Sequence, residues 1–321
     1  MGDAFAAWQK TADTAFAELK QLEEENNRYW IDAYGLQDEL TPDVPDAQIT
    51  IRRAELTRDV KSLISYAVGC MMGRYSLAQP GLRFAGGSFN PSHFSGDFLP
   101  DDDGILPITD EAYFEDDIVS RFVAFLSAAF GPEGLQDNLT FVADALTRKG
   151  GESAVARLRR YFLTEFISDH IQSYKKRPIY WLFTSGKGWA FGALVYLHRY
   201  TPDTLSYLRN SYVLPLQSKL AAEIRSTERA IEGASSASAV KAEQKKLLRL
   251  REQVAELLAF HDRLLHKADQ RIDIDLDDGV AYNYTLFDGL LYTGADLKLA
   301  DLLKKSQWKR DLLAGVQGEA A

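Results

Sequence analysis

Lys175-Lys176-Arg177 stands between Tyr174 on one side and Tyr180-Trp181 on the other. Basic heads beside planar rings suit contact with nucleic-acid phosphates, with stacking on bases or sugars close by. The surrounding window, residues 145–200, holds ten basic residues: Arg148, Lys149, Arg157, Arg159, Arg160, Lys175, Lys176, Arg177, Lys187 and Arg199. Against them stand three acids, Glu152, Glu165 and Asp169. The whole chain has a net charge of −9, so a window at +7 leaves the remainder at −16. That balance argues against a general nucleic-acid coat and for one positive segment on an acidic body. A charge run is as often only a solvated face; the adjoining rings tip the reading toward DNA. The expected DNA-contacting residues are Arg157, Arg159, Arg160, Lys175, Lys176, Arg177 and Lys187. The arginines lie on a helix that begins near Ser153, and Lys175 to Arg177 close that same helix before Pro178.

Other strings with chemical potential fail on spacing. Asn90-Pro91-Ser92-His93 lacks the second proline and the aromatic of the loop with which amino-group DNA methyltransferases hold a flipped base. Gly86-Gly87 sits in no strand–turn–helix frame that would make it a cofactor loop. Gly186-Lys187-Gly188 imitates a phosphate loop, yet the earlier glycine position is Trp181 and neither Ser nor Thr follows the lysine. Asp273, Asp275 and Asp277 imitate a calcium loop, but its glycine comes one place late and its twelfth position is Tyr284. Asp59 and Lys61, with Pro42-Asp43 upstream, loosely imitate a nuclease core; they lie within an amphipathic pattern, and a solvated helix face explains them better. The histidines (His93, His170, His198, His261, His266) share no metal-ligand spacing, and the single Cys70 excludes both an intramolecular disulfide and a cysteine-rich zinc site. No catalytic, cofactor or metal residue is expected.

The elements that must position the basic segment are mostly helical. The chain is 46% hydrophobic and 26% charged, and no apolar run reaches the roughly 18 residues that cross a bilayer; a cytoplasmic protein is expected. Phe5, Trp8, Ala12, Phe16, Leu19 and Leu22 recur at helical spacing over the first 30 residues, before Gly35, Pro42 and Pro45. A second helix is expected over 57–72, stopped by Gly73. Residues 74–107 are irregular but carry Phe84, Phe89, Phe94 and Phe98, which predicts an ordered loop pinned by its rings. Thr109 or Asp110 is expected to cap a helix that stops at Gly131-Pro132, and Gly150-Gly151 separates the next helix from the basic one. Residues 179–183 read as a buried strand. Leucines over 205–265, interrupted by a small polar tip at 233–239, predict a long antiparallel helical hairpin. Alternation around Asp278-Gly279 over 272–284 predicts a short β-hairpin. The fold class is therefore mainly α with minor β (α+β): a helical body over 1–200, then 201–321 with the helical hairpin, a β-hairpin and a terminal helix.

Several strings are similar to one family, in order across nearly the whole chain. They are Tyr34-Gly-Leu-Gln-Asp-Glu-Leu40, Ser65-Tyr-Ala-Val-Gly-Cys-Met71 leading to Gly73-Arg-Tyr-Ser-Leu77, Phe114-Glu-Asp-Asp-Ile-Val-Ser-Arg-Phe122, Lys176-Arg-Pro-Ile-Tyr-Trp-Leu-Phe183 and Ile274-Asp-Leu-Asp-Asp-Gly-Val280. They resemble the C-terminal region of the type IIG-like, adenine-specific DNA methyltransferases of BREX phage-defence systems, the PglX family. The resemblance implies a parent enzyme that methylates adenine N6 with S-adenosylmethionine, whose cofactor and base-holding loops lie upstream. No catalytic residue carries over, because no position here matches one. The chain is then expected to be a natural or engineered piece that binds double-stranded DNA or recognises the target site beside the upstream methyltransferase domain. The alternative is a scaffold in which residues 202–267 dock other defence proteins. No cofactor is expected in this piece itself.

Overall fold

A computed structural model describes residues 1–186, 188–294, 297 and 304. Helix α1 (Gly2–Tyr34) ends where Gly35 takes a left-handed conformation at φ 67°, and the amides of Gly35 and Leu36 donate to the carbonyls of Asp32 and Ile31. That closure satisfies the last-turn carbonyls and needs a residue without Cβ strain. The helix buries only Ala12, Phe16 and Ile31; Phe16 forms a small satellite cluster with Val44 and Ile49. Its far end leaves Tyr29, Trp30 and Tyr34 exposed, Tyr34 by 71%. Helix α2 (Leu56–Met71) is capped by the Glu55 carboxylate, which accepts from the amides of Thr57 and Arg58. It buries Val60, Ile64, Ala67, Val68 and Met71, one face at helical spacing. Gly69 is required there: a Cβ would stand 2.4 Å from the Tyr75 ring.

The irregular loop is ordered by its rings, as expected. Phe84 meets Phe89 and Tyr196 edge-on, Phe89 packs on Phe94, and Phe98 packs on Phe125. Its last residues are not loop, however: β1 (Ile105–Ile108) is a fully buried strand that contains Pro107. Helix α3 (Ile118–Phe130) is capped by Asp117, later than the expected Thr109 or Asp110. Thr109 and Asp110 are engaged elsewhere, the hydroxyl with the Glu111 carbonyl and the carboxylate with Gln253 and Arg249. Helices α4 (Leu135–Ala145) and α5 (Ala154–Thr164) follow, the latter capped by the Ser153 hydroxyl as expected. The basic helix then breaks. Helix α6 (Phe166–Ser173) is separate, and the chain kinks at Glu165, whose carboxylate is taken by Arg157 and Arg160 of α5.

Strands β2 (Tyr180–Thr184) and β3 (Gly192–Tyr196) form the β-hairpin of the protein and, with β1, a three-stranded antiparallel sheet ordered β1-β3-β2. Leu194 is the common register point, opposite Leu106 and Leu182. Their side chains are almost all buried, so the sheet lies inside the helices and shows no alternation. The outer edge of β2 is closed by residues 290–292, through Thr184 N–H to the Leu290 carbonyl and Tyr292 N–H to the Leu182 carbonyl.

Helix α7 (Thr204–Tyr207) widens into a π-turn over 208–213 before α8 (Leu214–Glu232). Pro215 supplies the cause: it has no N–H for the carbonyl four residues back, and its ring would strike that carbonyl in a regular helix. With α9 (Ala237–Asp269), α8 makes the expected antiparallel hairpin, turning at 233–236. The β-hairpin expected over 272–284 is absent. Residues 276–278 form a 3-10 turn, and Val280–Leu286 form helix α10. Val280, Tyr284 and Phe287 also share a helical spacing, and burying Tyr284 and Phe287 against Trp181 decides between the two periods. The terminal helix expected beyond α10 falls mostly on residues outside those described.

No single described helix is long and apolar enough to cross a membrane. Helices α3 and α4 reach that length only together, across a bend of 117°, and both bury apolar residues in the core. Limited proteolysis should cut first between residues 233 and 236, the exposed tip between α8 and α9. First cuts beside Leu220, which is buried, would contradict this hairpin.

Candidate nucleic-acid interface

The three arginines of α5 are all engaged by carboxylates and carbonyls, Arg157 and Arg159 inward and Arg160 at the surface. Arg157 is 2% exposed; its Nε and Nη2 donate to the Leu146 carbonyl at 2.9 and 2.5 Å, and Nη1 donates to Glu165 at 2.8 Å. Arg159 makes a two-pronged pair with Asp117, at 2.8 and 2.9 Å, and also donates to the Thr109 carbonyl at 2.8 Å. Asp117 is fully buried, and the same carboxylate caps α3 through the amides of Val119 and Ser120. Arg160 forks onto Glu152 at 2.8 Å from both Nε and Nη2. That pairing, with the Lys149 amide, holds the Glu152 carboxyl at about 2, well below the usual range. A phosphate could take Arg159 only by stranding the buried Asp117 carboxylate, and could reach Arg157 only by opening the fold, either of which leaves an unpaired buried charge at high cost.

Two further residues of the basic window are also engaged. Arg148 pairs with Asp144 one helical turn back. Arg199 donates to the carbonyls of Asp101 and Asp102 and covers the Phe89 ring at 3.7 Å. Lys187 lies outside the described residues. Among the described residues, the side chains of Lys149, Lys175, Lys176 and Arg177 have no hydrogen-bond or ion-pair partner.

Lys175, Lys176 and Arg177 do not close the α5 helix. They form a turn after α6, with Lys175 at φ 50° and Lys176 at φ 65°. Left-handed backbone at a residue with a side chain costs about 1–2 kcal/mol each, so something must hold the turn. Its amides donate back to the carbonyls of Gln172, Ile171 and Tyr174. His170 does the rest: its Nε2 accepts from the amides of Ile179 and Tyr180, both at 3.1 Å. The ring proton is therefore on Nδ1. Burial, with the nearby Arg74 charge, lowers this imidazole to about 3, so it stays neutral. The turn is thereby fixed to the first residues of β2, with Lys175 and Arg177 exposed and Lys176 half-buried. Spacing carried no sign of this role for His170, which needs only one acceptor atom within reach of a strand.

The loop from Ser185 to Ala190 is shaped around an internal anion. Glu256 of α9 accepts from the Ser185 hydroxyl at 2.5 Å, the Gly188 amide at 2.7 Å and the Ala190 amide at 3.1 Å. A Cβ at Gly188 would lie 2.5 Å from the Glu256 Oε2. Ser185, Gly188 and Ala190 thus make a cradle that the chain fills with its own carboxylate. Glu256, which no motif marked, joins the helical hairpin to the sheet.

No family model matches the chain. It is 42% identical over 284 residues to the adenine-specific methyltransferase PglX of Lacticaseibacillus casei (strain Zhang), a match covering 88% of this chain and 24% of that protein. It is 46% identical over 252 residues to the adenine-specific methyltransferase BrxX of Escherichia coli O9:H4 (strain HS), covering 74% of this chain and 20% of that protein. The chain is thus homologous to one segment of these proteins and spans between a fifth and a quarter of their length.

Because Arg159 and Asp117 are buried together, Arg159→Ala should destabilise the fold by about 3–5 kcal/mol. Lys175→Ala should change stability by less than about 0.5 kcal/mol. Denaturant unfolding of both variants checks this; equal effects would mean that the α5 arginines are not the structural ones.

Proposed function

We propose that this chain, homologous to one segment of the PglX and BrxX adenine-specific methyltransferases, is the non-catalytic, DNA-contacting and target-recognition part of such an enzyme in a cytoplasmic BREX-type phage-defence system. The S-adenosylmethionine site and the base-holding loop then belong to other parts of the longer protein. The observation that carries the reading is the division of the basic window. The α5 arginines are neutralised internally, while three consecutive cations stand unpartnered on a turn fixed between α6 and β2. An acidic protein that approaches a polyanion needs such a local positive surface.

The scaffold alternative is supported at a different place from the one expected. The exposed rings of Tyr29, Trp30 and Tyr34 on α1 make an apolar surface that a partner protein would cover. Residues 202–267 instead spend much of their apolar face on the sheet and the core.

Replacing Lys175, Lys176 and Arg177 together by Glu removes about three phosphate contacts. The slope of log affinity against log salt for duplex DNA should flatten by about 2–3 units. An unchanged slope with a folded variant would overturn this reading and favour the scaffold.

A further inference from the structure

We infer that Arg74, with the hydroxyls of Tyr75 and Tyr174 beside it, is a phosphate-binding site next to the basic turn. In the proposed setting its ligand is a phosphodiester of DNA; for that source, though not for the site itself, the inference rests on the proposed function.

The position is built. Arg74 follows directly on the turn that ends α2, where its amide donates to the Gly69 carbonyl at 2.8 Å. Its carbonyl accepts from the Arg83 amide at 2.9 Å. The guanidinium is half-buried and aimed by two phenols: Nε donates to the Tyr75 hydroxyl at 3.3 Å and Nη1 to the Tyr196 hydroxyl at 3.2 Å. Tyr196 is held in turn by its own donation to the Phe84 carbonyl at 2.9 Å. Tyr174, the residue before the basic turn, is also within reach; burial raises its phenol while the Arg74 charge and hydrogen bond pull the other way.

What sets Arg74 apart is its lack of a counter-ion. Arg157, Arg159 and Arg160 each meet a carboxylate. Arg74 meets phenols, which are neutral at ordinary pH and leave the positive charge uncompensated. Among the described residues no acid pairs with it. The charge is felt by the neighbours: burial first, then Arg74, lowers both His170 and His198 below the usual imidazole range.

Unpartnered polar atoms gather in the same place. Nδ1 of His170, the Tyr180 hydroxyl and Nδ1 of His198 are buried with no hydrogen-bond partner, and His170 and Tyr180 are 2% and 1% exposed. Buried polar groups are normally paired. Here two of them, on His170 and His198, lie within the influence of a cation that has no counter-ion, and Tyr174 joins that cation to the turn of Lys175, Lys176 and Arg177. The planar fork of an arginine matches two oxygens of a phosphate, and the adjoining unpaired cations favour a polyanion over an isolated carboxylate.

The test uses the full chain and two probes, inorganic phosphate followed by phosphorus-31 line broadening and a short DNA duplex followed by anisotropy. The variants are Arg74→Gln and Arg74→Lys, the second keeping the charge without the fork and serving if the first fails to fold. The wild-type chain should broaden the phosphate resonance and both variants should not. Duplex affinity should fall about tenfold in Arg74→Lys, as expected for the loss of a two-pronged charge-assisted contact. Phosphate broadening that depends on Arg74, with no duplex binding by the wild type, would uphold the site and overturn its assignment to DNA. Duplex binding that Arg74→Lys leaves unchanged, with no phosphate effect, would overturn the Arg74 site and leave the DNA reading in place.

Discussion

The ion pair between Arg159 and Asp117 is the constraint from which much of the molecule follows. Asp117 is wholly buried, and one carboxylate both starts α3 and receives the fork of an α5 arginine. The same guanidinium reaches the Thr109 carbonyl just past the end of β1. Three elements therefore meet at one charge pair, in surroundings where neither partner could be left alone cheaply. This is why the arginine-rich helix is structural despite its composition. Its charge is already spent inside the protein, and the surface positive charge has to come from elsewhere.

It comes from a short turn that other clasps hold in position. His170 keeps the turn at the mouth of β2, and Glu256 gathers the loop between β2 and β3 onto α9. Residues 290–292 close the outer edge of the same strand. A flexible basic loop would lose more entropy on binding than one whose backbone is already fixed. Lys175 and Lys176 are also held in left-handed backbone, which their neighbours must maintain. The unpartnered cations thus stand on one of the more constrained parts of the fold, with Arg74 next to them.

Elements that announce themselves by local pattern were legible in the sequence. The leucine seams foretold the α8–α9 hairpin, Gly35 and Ser153 marked helix ends, and four phenylalanines foretold the pinned loop. The aromatic run after Pro178 foretold β2. The similarity to adenine-specific methyltransferases was legible too, from strings spread through the chain. What escaped depends on distant partners. Asp117 is 42 residues from Arg159 and Glu256 is 71 from Ser185, so charge counting could not separate the engaged cations from the free ones. Arg74 lies far from the basic window in sequence and joined it only through the tyrosines. Over 272–284 two periods competed, and the burial of Tyr284 and Phe287 chose the helix.

The central claim is that the α5 arginines serve the fold while the turn after α6 serves DNA. An arginine-selective dicarbonyl reagent, with sites mapped by mass spectrometry on the folded chain with and without duplex DNA, tests both halves at once. Arg177 should react readily in the free chain and be shielded by the duplex, while Arg157 and Arg159 stay unmodified throughout. Modification of Arg159 as fast as Arg177, or an Arg177 whose reactivity the duplex leaves unchanged, would contradict the account.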